Sequence, residues 1–196
     1  MIKVGLTGNI GSGKTWVCKV FESLGVPIYY ADIEARKILN HPKTIQKIKP
    51  AFGNEVLSSP HEIDRKKLGT IVFQDPQALE KLNQLIHPLL KTHFTEWCSS
   101  QKDHHYIIQE AAILFENGFD PLMDITITVA AHKDIRLQRV MDRDDLSKEE
   151  VLARMKQQWS DDKKEKAADY VIKNDGSQMI LPQILMLDKK FKEKNI

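Results

Sequence analysis

The sequence has 196 residues, 41% hydrophobic and 29% charged, which suits one globular domain with insertions. No apolar run approaches the roughly 18 residues of a membrane span, and the first residues lack the plan of a signal peptide. The net charge of +2 excludes a general nucleic-acid binder, which carries a strong basic excess. Cys18 and Cys98 are far apart and form no CxxC pair, so we expect a cytoplasmic protein without a membrane or nucleic-acid partner.

The first part of the chain alternates between strand and helix signals. Residues 3–7 are a short apolar strand, and apolar residues recur at helical spacing over 14–24. Gly25 ends that helix, and residues 26–30 again have the character of a strand. This alternation predicts an α/β fold, with a parallel sheet covered by helices on both faces.

The middle of the chain differs, because residues 43–101 carry helical periodicity with few strand signals. Strand signals return at 106–109, 125–129 and 170–172, and helices are expected over 133–143 and from residue 178. The charged stretch up to about residue 166 is predicted to be helical. We therefore expect one unit with three parts: a core (1–42, 102–143 and 167–196), a helical acceptor-binding insertion (about 43–101) and a lid (about 144–166).

Residues 8–15, Gly-Asn-Ile-Gly-Ser-Gly-Lys-Thr, match the phosphate-binding pattern GxxxxGK[ST] between a strand and a helix. The glycines let backbone N–H groups converge on phosphate oxygens, and the helix N-terminus adds a partial positive charge. Lys14 is predicted to reach the β- and γ-phosphates, and the Thr15 hydroxyl to take a Mg²⁺ position. The loop indicates a nucleotide-binding protein.

Three classes of protein use such a loop: GTPase switches, ATPases and small-molecule kinases. The guanine motif NKxD and the switch motif DxxG do not occur in the sequence, which disfavours a GTPase. Two rivals to a specific kinase remain open, a nucleoside or nucleoside-monophosphate kinase and a regulatory ATP-binding module that does not turn over.

Kinases of this type need arginines that reach the γ-phosphate. Arg136, Arg139 and Arg143 share one face of the helix predicted over 133–143. Because Arg139 and Arg143 directly precede the predicted lid, we expect them to contact phosphate. For Arg136 alone, a solvated helix face is the preferred interpretation.

Asp32 is the candidate catalytic base. It follows the second strand, and the carboxyl ends of strands in open α/β sheets face the ligand crevice. A carboxylate there could take the proton of the acceptor hydroxyl, where the acceptor is the substrate that receives the phosphoryl group. The alternative is a helix N-cap without catalytic function. Arg36, one turn later, could pair with Asp32 or bind substrate.

Together these residues resemble the dephospho-coenzyme A kinase family, and the resemblance spans nearly the whole chain. The phosphate loop is generic, whereas Ala31-Asp32-Ile33-Glu34-Ala35-Arg36 and Ile113-Leu114-Phe115-Glu116 at these distances are much more specific. The further matches, in the expected order, are Ile86-His87-Pro88-Leu89, Gln138-Arg139, Arg143-Asp144-Asp145 and Asn174-Asp175-Gly176.

The resemblance implies ATP-dependent phosphorylation of the ribose 3′-hydroxyl of dephospho-coenzyme A, the last step of coenzyme A synthesis. It also implies a P-loop kinase fold with a five-stranded parallel sheet, and Mg²⁺ with ATP. Its catalytic residues would be Asp32, Lys14 and Arg139. Its ATP-binding residues would be Gly8, Asn9, Ile10, Gly11, Ser12, Gly13, Lys14, Thr15, Trp16, Arg139, Arg143 and Asn174. Its acceptor-binding residues would be Thr7, Asp32, Arg36, His87, Leu114, Phe115 and Glu116. A monomer or a small homo-oligomer is expected.

Three positions depart from the family's usual pattern. Asn9 stands where many members have glycine, Trp16 replaces a small polar residue, and Ala112 takes a position often held by proline. The side chain of Trp16 must therefore pack away from the phosphates. Glu110, at the end of its strand, could hold Mg²⁺ through water or could be a plain strand-end acid.

Overall fold

The computed structural model describes residues 1–193, apart from the side chain of Phe73. Its elements in chain order are β1 (Ile2–Thr7), α1 (Lys14–Ser23), β2 (Ile28–Tyr30), α2 (Ala31–Leu39), α3 (Pro42–Phe52), β3 (Leu57–Ser59), β4 (Glu62–Ile63), α4 (Arg65–Gln74), α5 (Pro76–Ser99), β5 (Tyr106–Glu110), β6 (Ile125–Ala130), α6 (Lys133–Asp144), α7 (Lys148–Met155), α8 (Asp161–Ala167), β7 (Tyr170–Lys173) and α9 (Ile180–Lys192). A short 3₁₀ turn at Asp120–Leu122 precedes β6. None of the helices in the described range is long and apolar enough to span a bilayer.

The chain separates into two compact units, the first formed by residues 1–30 and 101–193 and the second by Ala31–Ser100. The first contains the predicted five-stranded sheet, in the order β2-β5-β1-β6-β7, and every pair in it is parallel. The fold prediction is confirmed for the described part of the chain. β5 and β6 are almost wholly buried, and β-branched and other apolar residues make up most of both strands.

β1 is the middle strand of the sheet. After β1 the chain first forms β2 and β5 on one side of it, and then β6 and β7 on the other side. β5 pairs with one side of β1 and β6 with the other. In open α/β sheets this reversal of direction leaves a crevice beyond the carboxyl end of the central strand. The phosphate-binding pattern begins immediately after β1 ends at Thr7.

The core of the first unit lies between the sheet and helices α1 and α9. Val17, Cys18 and Phe21 on the buried face of α1 pack on the sheet, in the same cluster as Ile184 and Phe191 of α9. α9 is also tied to the sheet by a buried hydrogen bond, in which the Tyr106 hydroxyl donates to Asp188 Oδ1 (2.7 Å).

The second unit has a separate core built from α3, α4, α5 and a two-stranded hairpin, β3–β4. The helices follow the predicted periodicity, but the hairpin was missed. Its strands are three and two residues long, too short for an alternating pattern to register. α2 belongs to this unit, which starts at Ala31 instead of the predicted residue 43. The acceptor-binding role assigned to this region stays a prediction.

The predicted lid consists of two short helices. Asp145, in the left-handed conformation (φ 51°), ends α6, and a reciprocal cap between Ser147 and Glu150 begins α7. Ser160 caps α8, so residues 156–160 form a break between the helices. Closure of this region over a substrate stays a prediction.

Candidate active site

The loop between β1 and α1 is shaped by glycines that other residues could not replace. Gly11 has φ 80°, and a Cβ added to it would lie 2.5 Å from the carbonyl oxygen of Arg136. Gly13 has φ 95°, and its added Cβ would lie 2.1 Å from Asn174 Nδ2. Only glycine tolerates both the positive φ and the close neighbours. The loop therefore packs directly on α6 and on the residue that follows β7.

Side chains complete this loop. Asn174 Nδ2 donates to the carbonyl oxygen of Ser12 (2.8 Å), holding the loop from the β7 side. Lys14 Nζ donates to the carbonyl oxygen of Gly8 (2.8 Å), so its ammonium folds back across the loop. That ammonium lies where an anion bound by the loop would sit.

A cavity of about 720 Å³ opens beside the loop. Its lining consists of Gly11, Gly13, Lys14, Thr15, Trp16, Lys19, Val20, Arg139, Arg143, Asn174 and Ile180. This volume lies within the usual range for ligand pockets, about 300–1,000 Å³. Four of the lining residues are cationic and none of those described is acidic, which suits a polyanion. The structure thus brings together eight of the predicted ATP-binding residues. The other four, Gly8, Asn9, Ile10 and Ser12, are in the loop but outside this lining.

The cavity's two arginines both bond to groups of the chain itself. Arg139 donates weakly to the carbonyl oxygen of Gly11 (3.4 Å) and is otherwise exposed. Arg143 forms a two-point ion pair with Asp144 (2.7 and 2.9 Å), which raises the pKa of the guanidinium and lowers that of the Asp144 carboxyl. Arg154 Nη1 lies 3.5 Å from Asp144 Oδ2. Asp144 would therefore keep one ion pair if Arg143 turned toward a phosphate.

The prediction for Arg136 was wrong. Its side chain is buried, 3% exposed, and does not lie on a solvated face. Its guanidinium donates to the carbonyl oxygens of Ala131 (3.0 Å) and Ile10 (3.1 Å), and pairs with Asp161. Arg136 therefore supports the phosphate loop from behind.

Residues 158–164 form a connection to the loop that was not predicted. Gln158 Oε1 accepts from the N–H of Ile10 (2.8 Å). Asn9 Nδ2 donates to the carbonyl oxygen of Trp159 (3.0 Å) and to Asp161 Oδ1 (2.8 Å). Asn9, unusual at this position, thus anchors the segment with both amide protons. A single large apolar residue, Trp159, in a charged stretch was the only signal that this segment is partly buried.

The same segment holds the residues after β5. Lys164 is 1% exposed, and its Nζ donates to the carbonyl oxygen of Ala112 (2.7 Å) and to Glu116 Oε1 (3.0 Å). Burial lowers the pKa of Lys164, and the Glu116 carboxylate opposes that shift. The rings of Phe115 and Trp159 stack with centroids 5.9 Å apart. Residues 112–116 are consequently held in a fixed conformation.

The predicted acceptor residues of the first unit surround this segment. The Thr7 hydroxyl donates to the carbonyl oxygen of Ala112 (3.4 Å), and Glu116 Oε2 is buried without a partner in the described residues. Leu114 is fully buried and Phe115 is 7% exposed. Contact of their side chains with an acceptor stays a prediction.

The other predicted acceptor residues, Asp32, Arg36 and His87, lie in the second unit, on α2 and α5, which pack on each other. Asp32 is the second residue of α2 and is exposed, and its carboxylate makes no hydrogen bond or ion pair with the described residues. The N-cap alternative is therefore wrong, since a cap would accept from backbone N–H groups. Arg36 is also exposed, and burial lowers the pKa of His87.

Two oxygen-bearing side chains near the loop suit Mg²⁺. Thr15 exposes its hydroxyl at the cavity, and Glu110 ends β5, beside the loop strand. Burial raises the pKa of the Cys18 thiol on α1, the nearby Glu110 carboxylate raises it further, and the Lys14 ammonium opposes the shift. No group of three or more His, Cys, Asp or Glu in residues 1–193 could hold a metal by itself. Mg²⁺ does not require such a group, because it keeps waters and takes phosphate oxygens.

We expect Arg136→Met to destabilise the fold by about 3 kcal/mol, or roughly 6–12 °C in melting temperature. Methionine preserves much of the volume but removes the cation from Asp161 Oδ2 and the guanidinium donors from two carbonyl oxygens. The Asp161 side chain is 29% exposed, so water offsets part of the loss. Thermal unfolding measures the effect. Arg139→Met, on the exposed face of the same helix, is the matched control and should unfold near the unsubstituted protein; equal melting temperatures would contradict the supporting role of Arg136.

Comparison with known proteins gives a consistent result. The family model of dephospho-CoA kinase matches residues 2–179. A dephospho-CoA kinase of Bacteroides fragilis is 37% identical over 187 residues, which cover 95% of this chain and 91% of that protein. A dephospho-CoA kinase structure from Campylobacter jejuni superposes with a TM-score of 0.72 at 29% identity, covering 99% of this chain and 98% of the other. A Thermus thermophilus structure superposes with a TM-score of 0.85 at 33% identity, covering 98% and 97%. With its phosphate loop, cationic cavity and central-strand topology, the chain belongs to the dephospho-CoA kinase family.

Proposed function

We propose that the protein transfers the γ-phosphoryl group of ATP to the ribose 3′-hydroxyl of dephospho-coenzyme A, yielding coenzyme A and ADP. The observation that carries the proposal is the glycine-rich loop facing a cavity with four cations, in a chain that the family model covers almost end to end. Such a cavity provides what phosphoryl transfer requires, positioned donors for the charge on the moving group.

The loop and the cavity arginines hold the donor nucleotide. Backbone N–H groups of the loop and of the N-terminus of α1 would face the phosphates, and Asn174 keeps the loop in shape. Lys14 leaves the Gly8 carbonyl oxygen for the β- and γ-phosphates, and Arg139 and Arg143 neutralise the γ-phosphoryl from α6. Mg²⁺, held by Thr15 and by Glu110 through water, would neutralise charge on the phosphates.

Asp32 is the base of the proposed reaction. Its exposed carboxylate, without a partner in the described residues, is available to accept the proton of the attacking hydroxyl. Thr7, Arg36, His87, Leu114, Phe115 and Glu116 are proposed to position the acceptor. The helical insertion would hold its remote part, and residues 144–166 would close over the reacting groups.

An acceptor assay tests the proposal. We expect adenosine and AMP to be phosphorylated with a turnover number at least about tenfold below that of dephospho-coenzyme A, as well as with weaker apparent affinity. They offer a ribose but lack the pantetheine arm, whose contacts help to place the 3′-hydroxyl. ADP release is measured at saturating ATP and Mg²⁺ for each acceptor. A nucleoside monophosphate used at least as efficiently as dephospho-coenzyme A would overturn the proposal in favour of the rival kinase.

ATP incubated without acceptor is the control for this assay, since ADP release must depend on the added acceptor. If ATP binds but none of the acceptors is phosphorylated, the protein would instead be a regulatory ATP-binding module. A single oligomeric state, monomer or small homo-oligomer, and a cytoplasmic location stay predictions.

A further inference from the structure

The side chain of Trp16 is unusually placed for a residue of a phosphate loop. Trp16 is the third residue of α1, and 71% of its surface is exposed. It lines the cavity and is the only aromatic residue in the described lining. An indole this exposed offers a large apolar surface and two faces on which a planar ring could stack, and it lies in the lining of a cavity.

The cavity lining contains residues of two chemical kinds, one aliphatic or aromatic and the other cationic. Lys19 and Val20 lie three and four residues further along α1, on the same helix face. Val20 and Ile180, at the start of α9, provide aliphatic surface, and Lys19 Nζ is 5.9 Å from the centre of the indole ring. Lys14, Arg139 and Arg143 are the cationic lining residues nearest in kind to a phosphate site.

A nucleoside triphosphate also has two chemically different parts, its charged phosphates and its flat base. The negatively charged phosphates suit the cationic lining residues. The base is a flat aromatic ring, which suits the indole and the aliphatic groups. The helix N-terminus fixes the phosphates beside Lys14, only two residues from Trp16. A nucleotide that fills the cavity would place its base among the remaining lining residues, which include Trp16.

We propose that the indole of Trp16 stacks on the adenine base of the bound nucleotide and forms a base-binding subsite. This inference rests only on the nucleotide-binding part of the proposed function. A small polar residue at this position could contact phosphate but could not stack. Trp16 would thus contribute to nucleotide affinity through its side chain, in addition to its backbone N–H.

The test compares a nucleotide with a ligand that lacks the base. We expect Trp16→Ala to weaken ADP binding about tenfold and to leave tripolyphosphate binding unchanged, because stacking on an aromatic side chain involves only the base. Trp16→Phe, which keeps a stackable ring, should recover most of the ADP affinity. Calorimetric titration of the full chain with ADP, and separately with tripolyphosphate, gives both affinities.

Tryptophan fluorescence provides a second measurement. Titration with ADP should change the emission of the unsubstituted protein, and this change should largely disappear in Trp16→Phe, which retains Trp97 and Trp159. Persistence of the full change in Trp16→Phe would overturn the inference. Equal weakening of ADP and tripolyphosphate in Trp16→Ala would also overturn it, because the substitution would then disturb the loop. An ADP affinity of Trp16→Ala equal to that of the unsubstituted protein would also overturn the inference.

The inference and the proposed function can fail separately. If Trp16→Ala binds ADP normally while the protein still phosphorylates dephospho-coenzyme A, the base subsite is wrong and the kinase assignment stands. If ADP binding depends on Trp16 but dephospho-coenzyme A is not phosphorylated, the subsite is supported and the proposed acceptor is wrong.

Discussion

Replacing Lys14 with alanine should lower the turnover number by roughly 100-fold or more. The Lys14 ammonium donates to the Gly8 carbonyl oxygen at 2.8 Å. A triphosphate there would take over the ammonium as a charge-assisted partner. Because negative charge on the bridging and transferred oxygens changes during the reaction, the fixed cation stabilises the transition state more than the ground state. ADP release at saturating ATP and dephospho-coenzyme A measures the effect.

Lys133→Ala is the matched control for this experiment. Lys133 is an exposed lysine at the start of α6 and does not line the cavity, so its loss should not alter turnover. The melting temperature of Lys14→Ala should fall only slightly, since the hydrogen bond that Lys14 donates to the Gly8 carbonyl oxygen contributes about 1 kcal/mol. Near-normal turnover in Lys14→Ala would remove Lys14 from the mechanism.

The sequence was most informative where local pattern determines structure. The phosphate loop has fixed residues at fixed spacing, and the apolar runs of β1 and β6 are long enough to identify as buried strands. The observed ends of these elements lie within one or two residues of the predicted ones. The placement of Arg139 and Arg143 at the cavity also follows from helical spacing on α6.

Contacts between distant parts of the chain could not be predicted in this way. Arg136 is buried and Arg139 is exposed because Arg136 contacts Ile10 in the loop and Asp161 on α8. The periodicity of α6 does not predict either contact. Likewise, Lys164 lies in a charged stretch but is buried with Glu116. Buried charges are uncommon, so composition favours an exposed helix until the partner's position is known.

These contacts change how the predicted lid is understood. The segment from Gln158 to Lys164 is attached to the phosphate loop through Asn9 and Ile10 and to the residues after β5 through Glu116. Its movement would have to break several hydrogen bonds and a buried ion pair at once. We therefore expect closure to involve α7 (Lys148–Met155) more than α8.

Asp32→Asn is expected to reduce the turnover number by roughly 100-fold or more with little change in stability. Asparagine has nearly the same shape as aspartate but cannot accept the proton of the attacking hydroxyl. Asp32 is exposed and makes no hydrogen bond or ion pair with the described residues, so its removal leaves no buried group unpaired. The remaining stability effect is the loss of one negative charge in the first turn of α2, a few tenths of a kcal/mol.

Asp64 provides the reciprocal control, because it is an aspartate of the same unit that does cap a helix. Its carboxylate accepts from the N–H groups of Lys66 (3.0 Å) and Lys67 (3.1 Å) at the start of α4. Asp64→Ala should cost about 1 kcal/mol of stability while the turnover number stays normal. Asp32→Asn should do the opposite, with thermal unfolding and ADP release measured on both variants. If Asp32→Asn instead lowers the melting temperature as Asp64→Ala does, and the folded enzyme turns over normally, the carboxylate is structural and the proton must leave by another route.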